Sequence, residues 1–206
     1  YIPWNWHEHK EGEFDFTGET DARRNLVGFL ELVEKEGLCL LARPGPAIIA
    51  EWRNSGIPEW LLDKHPEIRS LDAEGRPTTD KRDCFPDITL LHPTYLRYVD
   101  KWYDSVCDIL RGHLYTRGGC IIMVQLDNEI HFNTHRFERL NGYVYETDPV
   151  ALDYNPYYVG DINRPGLFQS WLARKYDHNV EMLNKSYSSA FSSFDEVQPP
   201  RKKPEH

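Results

Sequence analysis

Apolar, strand-like runs alternate with amphipathic helical stretches along this chain, and that alternation most restricts its fold. The runs are YIPWNW at the start, LCLLARP over 38–44 and CIIMVQL over 120–126. Near-continuous apolar runs suit parallel strands covered on both faces. Between the first two lies DARRNLVGFLELVEKEG, which puts Leu26, Phe29, Leu30 and Val33 on one helical face. Thr20 or Asp21 is placed to cap this helix and Gly37 to stop it. Between the second and third lies PTYLRYVDKWYDSVCDILRGHL, where Tyr95, Val99, Trp102, Val106 and Ile109 keep the 3.6 period after Pro93. A third helix, LFQSWLARKY, groups Phe168, Trp171, Leu172 and Tyr176. The pattern predicts an α/β fold with parallel strands near 1–5, 38–44 and 120–126. Helices are expected near 21–36, 94–112 and 167–176.

The connections are uneven. What precedes each strand is short, whereas His7–Phe16, Trp52–His92 and His131–Pro165 follow the strands as long, aromatic segments. Loops beyond about a dozen residues are uncommon and often functional. Here they fall at the carboxyl ends of the strands, where α/β barrels and open α/β sheets keep their sites. Two such ends deliver acids: Glu51 in AIIAEW and Glu129 in QLDNEI. A salt-bridged carboxylate opening a loop is the plain reading of each. The chemical reading is a carboxyl group shielded by apolar neighbours, so that it donates a proton near neutrality. Glycosidic cleavage needs such a donor and a second carboxylate for the oxocarbenium-like centre. Six tryptophans and twelve tyrosines supply flat faces suited to sugar rings, and equally suited to a core.

Other classes are poorly served. A net charge of −9 argues against a nucleic-acid partner, and the basic Arg201–Lys203 cluster sits in a Pro-rich end. No apolar stretch approaches the roughly 20 residues of a membrane helix. The cysteines at 39, 84, 107 and 120 form no CxxC pair, and Cys39, Cys107 and Cys120 read as small buried hydrophobes. His7-Glu-His9 and His131-x3-His135 are weak metal patterns, so neither a metal nor a cofactor is expected. No G-x-S-x-G, P-loop or G-x-G-x-x-G occurs. Asn184-Lys-Ser186 is a glycosylation sequon of a kind common by chance.

The stretches YIPWNWHE, EGEFDFTG, GLCLLARPGPAIIAEWRNSGIPEWLL and GGCIIMVQLDNE occur in order and at the right spacing. Over residues 1–130 they resemble the catalytic barrel of the glycoside hydrolase family 35 β-galactosidases. From about Phe168 to Pro200 the chain is more similar to the family 42 β-galactosidases, which share the barrel and the retaining mechanism. The resemblance implies part of a (β/α)8 TIM barrel, roughly strands 2–4 with their helices and long loops. It makes Glu129 the general acid/base, with Asn128 beside it for the sugar 2-hydroxyl. Tyr1, Ala50 and Glu51 match positions lining the terminal-galactose pocket. The implied reaction is removal of terminal non-reducing β-D-galactose by double displacement, with a carbohydrate as the partner.

Some positions depart from the family 35 pattern. Ala47 stands where that family writes tyrosine, and its ENEYG becomes Asp127-Asn128-Glu129-Ile130-His131, so a reshaped sugar site is expected. The family's nucleophilic glutamate has no counterpart after Pro149. Residues 1–206 are therefore expected to be a partial catalytic domain, truncated at both ends, completed by the remaining barrel segments and inactive alone. Two alternatives accompany this reading: a non-catalytic sugar-binding relative, and an exo-glycosidase for another sugar such as glucosamine or arabinose.

Overall fold

A computed structural model describes residues 1–48, 52–78, 88–126, 153–161 and 164–199. The chain divides into two compact units. Of the described residues, the first contains 1–48, 52–68 and 90–126, and the second contains 69–78, 88–89, 153–161 and 164–199.

In the first unit, strands β3 (Leu40–Ala42) and β4 (Ile121–Val124) pair in parallel, with Leu40 opposite Ile121 and Ala42 opposite Val124. The expected parallel pairing of the second and third apolar runs is therefore present, over shorter spans. A register shift between Leu40 and Leu41 interrupts the ladder, which Gln125 N–H extends by donating to Ala42 O at 2.8 Å. Helix α2 (Leu26–Lys35) buries Leu26, Leu30 and Val33, but Phe29 is exposed. Asn25 caps it by accepting from Gly28 N–H at 2.8 Å, while Asp21 caps the preceding 3₁₀ turn, Ala22–Arg24. Gly37 ends the helix as expected, at φ +66°, a conformation that favours glycine. Helix α3 (Glu59–Lys64) buries Leu61 and Leu62, and helix α4 (Pro93–Gly112) begins on its proline and buries Tyr95, Tyr98, Val99, Trp102, Val106 and Leu110.

The strand expected near 1–5 is not one. Ile2 N–H still reaches Arg43 O at 2.9 Å beside β3, but Trp4, whose N–H is next in line for that neighbour, already opens a helix with Pro3 as its N-cap. The Pro3 carbonyl instead accepts from Trp6 and His7, closing the one-turn helix α1 (Trp4–His7). The segment that follows contains an antiparallel hairpin, β1 (Glu8–Lys10) with β2 (Glu13–Phe14). The cysteine expectation also needs correction. Cys120 is buried, but Cys107 is only half-buried and Cys39 is exposed, because it lies just before β3 at the open end of the sheet.

Trp102, 0% exposed, anchors this unit's core. Its ring lies 6.1 Å from Trp4, 6.4 Å from Phe14 and 6.0 Å from Phe16. Beneath it, Asp15 organises the next loop. Its carboxylate accepts from the N–H groups of Thr17, Gly18, Glu19 and Thr20 and from the Thr20 hydroxyl. Burial alone would raise the Asp15 pKa, but the Thr20 and neighbouring donors outweigh it and hold the group well below its ordinary value. Burial lowers the His7 pKa, so the ring is neutral, with its Nδ1–H donating to Asp15 O at 2.8 Å.

These two groups predict how stability responds to acid. His7 favours folding fully above its ordinary 6.5, and that contribution falls as pH drops from there to its lower folded value. Asp15 contributes fully above its ordinary 3.8 and loses the contribution as pH falls through its depressed folded value. Urea titrations should show one loss below about pH 6.5 and a second below about pH 4. Asp15→Asn should shrink the second, and a low-pH loss unchanged by the substitution would refute the assignment.

In the second unit, Asp153 accepts from Leu71 N–H at 3.1 Å and from the Thr89 hydroxyl at 2.8 Å. A one-turn helix, α5 (Pro156–Val159), precedes α6 (Leu167–Lys175) and α7 (Val180–Tyr187). Leu172, Leu183 and Val197 form the core, with Phe168, Tyr176, Phe191 and Phe194 packed against it. Trp171 instead is exposed. Buried Gln169 ties the pieces together, donating to Val159 O at 2.7 Å and Val197 O at 2.8 Å. Asn184, the sequon residue, donates to Phe191 O and accepts from Phe191 N–H, both at 2.9 Å, so its amide holds the adjoining turn.

Candidate active site

Because β3 and β4 are parallel neighbours, the chain leaves both at the same edge. After β3, Arg43 donates to the Tyr1 hydroxyl at 2.6 Å and sits 4.9 Å from its ring centroid. Tyr1, a predicted sugar-pocket residue, is 56% exposed at this edge. Trp102 Nε1 donates to Pro44 O at 2.7 Å, fixing the turn out of the strand. After β4, Gln125 is bonded to Ala42 and the Tyr103 hydroxyl donates to Leu126 O.

Ala50, Glu51, Asn128 and Glu129 lie outside the described residues. The chain on either side of 49–51 is tightly held. Ile48 is buried and its N–H donates to Ser55 O at 2.7 Å. Gly56, at φ +82°, packs so closely that a Cβ there would meet Ile48 Cγ1 at 2.9 Å, so only glycine closes this turn. Trp52 Nε1 donates to Asn5 Oδ1 at 2.7 Å, and Asn5 Nδ2 donates to Arg53 O at 2.8 Å. Of the histidine pairs, His7 belongs to the core and His9 lies 3.6 Å from Glu13, while His131 and His135 are outside the described residues.

The sequence reading missed a cleft of about 370 Å³ walled by Trp6, Trp52 and Trp60, with Glu8, Arg24 and Glu59 among its polar lining. Trp6 meets Trp52 edge-on, with centroids 6.0 Å apart. Arg24 lies 4.9 Å over Trp6 and donates to the Thr20 hydroxyl at 2.6 Å, so the Asp15 loop props the Trp6 wall. Trp60 Nε1 donates to Glu8 O at 3.1 Å, and its ring meets Tyr98 edge-on at 5.5 Å. Glu8 is buried, which raises its pKa. Hydrogen bonds from Trp4 Nε1 at 2.5 Å and Gly12 N–H at 2.7 Å offset this only in part, so the group stays above its ordinary value. The signal was present in the tryptophan that ends the first apolar run and in the aromatic richness of the loop after the second. Their convergence was not, since Trp6 and Trp60 are far apart in sequence.

Comparison with known proteins identifies the class. The family model of the glycoside hydrolase family 42 β-galactosidases matches residues 1–206, and the chain belongs to that family. This corrects the family 35 resemblance, since the family that fits the whole chain is the one assigned above only to 168–200. The chain is 44% identical over 202 residues to an exo-β-D-glucosaminidase of Pyrococcus horikoshii, covering 98% of this chain and 24% of that protein. It is 35% identical over 149 residues to the β-galactosidase of Mus musculus, covering 66% of this chain and 19% of that one. The chain thus spans about a quarter or less of the length of these relatives. Its fold is similar to part of the β-galactosidase of the psychrophilic Marinomonas ef1, with a TM-score of 0.58 at 24% identity, over 96% of this chain and 24% of that one.

Proposed function

We propose that the protein carrying this chain is a retaining exo-β-glycosidase that removes a terminal non-reducing sugar from β-linked saccharides. Membership of family 42 along the full 206 residues carries the reading. Glu129 acts as general acid, protonating the leaving oxygen, and then as base toward the incoming water. Asn128 binds the sugar 2-hydroxyl, and Tyr1, Ala50 and Glu51 line the terminal-sugar pocket. In this reading β3 and β4 are the third and fourth strands of a (β/α)8 barrel. Ile122 and Met123 support it: 56% and 58% exposed on β4, they are apolar side chains of the kind a closed barrel covers. A second carboxylate, about 5 to 5.5 Å from Glu129, comes from another part of the polypeptide, so residues 1–206 alone should not turn over.

The sugar is β-D-galactose on the description of the family, and the identity to a named exo-β-D-glucosaminidase favours glucosamine as a second reading. The test is to assay the whole protein on aryl β-galactosides and β-glucosaminides and to follow the product anomer by NMR. Release of the β-anomer from one of them is expected. Release of the α-anomer, or no turnover of either, would reject the mechanism or the activity.

A further inference from the structure

The tryptophan cleft has no task in the chemistry proposed for Glu129. We propose that it is the leaving-group subsite, binding the second and third units of a β-linked oligosaccharide whose terminal sugar occupies the pocket. This rests on the exo-glycosidase reading.

Three observations carry it. Its position comes first: Trp52 directly follows Glu51, and Asn5, which holds Trp52, lies four residues after Tyr1. The two segments that supply the predicted sugar pocket therefore also supply the cleft walls. Its size of about 370 Å³ is within the small-ligand range. Its chemistry is the third. The indole N–H groups of Trp52 and Trp60 are already donated to Asn5 and to the Glu8 carbonyl, so both rings are locked and offer their apolar faces. Acids and bases alternate around them: Glu8 and Glu59 with Arg24 and Arg53, and Glu59 is ion-paired to Arg53. Such balanced charge does not select an anion such as a nucleotide phosphate. It does suit a neutral ring with an apolar C–H face and a hydroxyl edge, because hydroxyls both donate and accept. An aminosugar unit would find the exposed Glu59 carboxylate.

The experiment uses the whole protein as Glu129→Gln, so that substrate persists. Calorimetry measures β-1,4-linked galactotetraose and glucosamine tetramer, each against its monosaccharide. The tetramer of the accepted sugar should bind at least about tenfold more tightly than the monosaccharide. Trp60→Ala, and separately Trp6→Ala, should lower that tetramer-to-monosaccharide ratio by about tenfold. The ratio within one preparation does not depend on the fraction of protein folded. A tetramer bound no better than the monosaccharide, or ratios unmoved by both substitutions, would overturn the subsite. Cleavage assays on the parent protein judge the glycosidase reading separately: cleavage without a tetramer preference sinks only the cleft, and a tetramer preference without cleavage sinks only the activity.

Discussion

Replacing Glu129 by glutamine in the whole enzyme should lower turnover of unactivated oligosaccharides by about 10²- to 10⁴-fold, the usual worth of a positioned general acid. The sugar alkoxide is a poor leaving group, and without a proton it departs slowly. A dinitrophenyl glycoside needs no such help, so its first step should be nearly untouched. The glycosyl-enzyme formed from it would then accumulate, because the same residue must activate water for the second step. The measured trace should be a burst of phenol followed by slow release, and added azide, a nucleophile needing no base, should restore turnover as a glycosyl azide. Equal losses on both substrates with no burst would show that Glu129 is not the acid/base.

The second large effect concerns stability. Trp102→Ala should cost about 3 to 5 kcal/mol, the range for emptying a fully buried aromatic site. The ring is in contact range of Trp4, His7, Phe14 and Phe16, and its N–H holds the Pro44 carbonyl. Removing it opens a cavity and leaves that carbonyl without its donor. Trp171→Ala is the control: Trp171 is exposed on Leu167–Lys175 and should cost no more than about 1 kcal/mol. Guanidinium unfolding of both variants decides the matter, and similar midpoints would mean that the aromatic cluster is not a central source of stability.

The elements that the sequence predicted well are those whose own residues decide them. The apolar period of 93–112, opened by Pro93, defines a helix without outside help, and Gly37 stops its helix by its own backbone freedom. The parallel pairing of β3 with β4 followed from helices lying between apolar runs. The first run misled because its composition resembles a strand, while Pro3 sits at the N-cap of a helical turn closed by its own carbonyl. The Asp15 loop was readable in principle. An acid followed by Thr17 and Gly18 is a turn signal, but its reach to Thr20 and Arg24 depends on the folded loop. For the site, a strand ending in acid is visible to inspection. The division of labour proposed for Glu51 and Glu129 is not, because a carboxylate's role depends on what faces it from other strands. The family resemblance supplied those roles. The cleft stayed hidden for the same reason, since its walls meet only once residues 5–9 and 52–60 are brought together.

Leu40 and Ile121 face each other across the β3–β4 ladder, yet some 80 residues of chain connect them. The entropy lost in closing such a loop grows only with the logarithm of its length, so even doubling it would cost about 0.6 kcal/mol. Insertions and deletions after β3 are thus nearly free as far as the ladder is concerned. The cost of change falls instead on local clasps such as Ile48 with Gly56 and Trp52 with Asn5. Descendants of this chain can lengthen or rewrite the segment between these strands while the β3–β4 ladder stays in register.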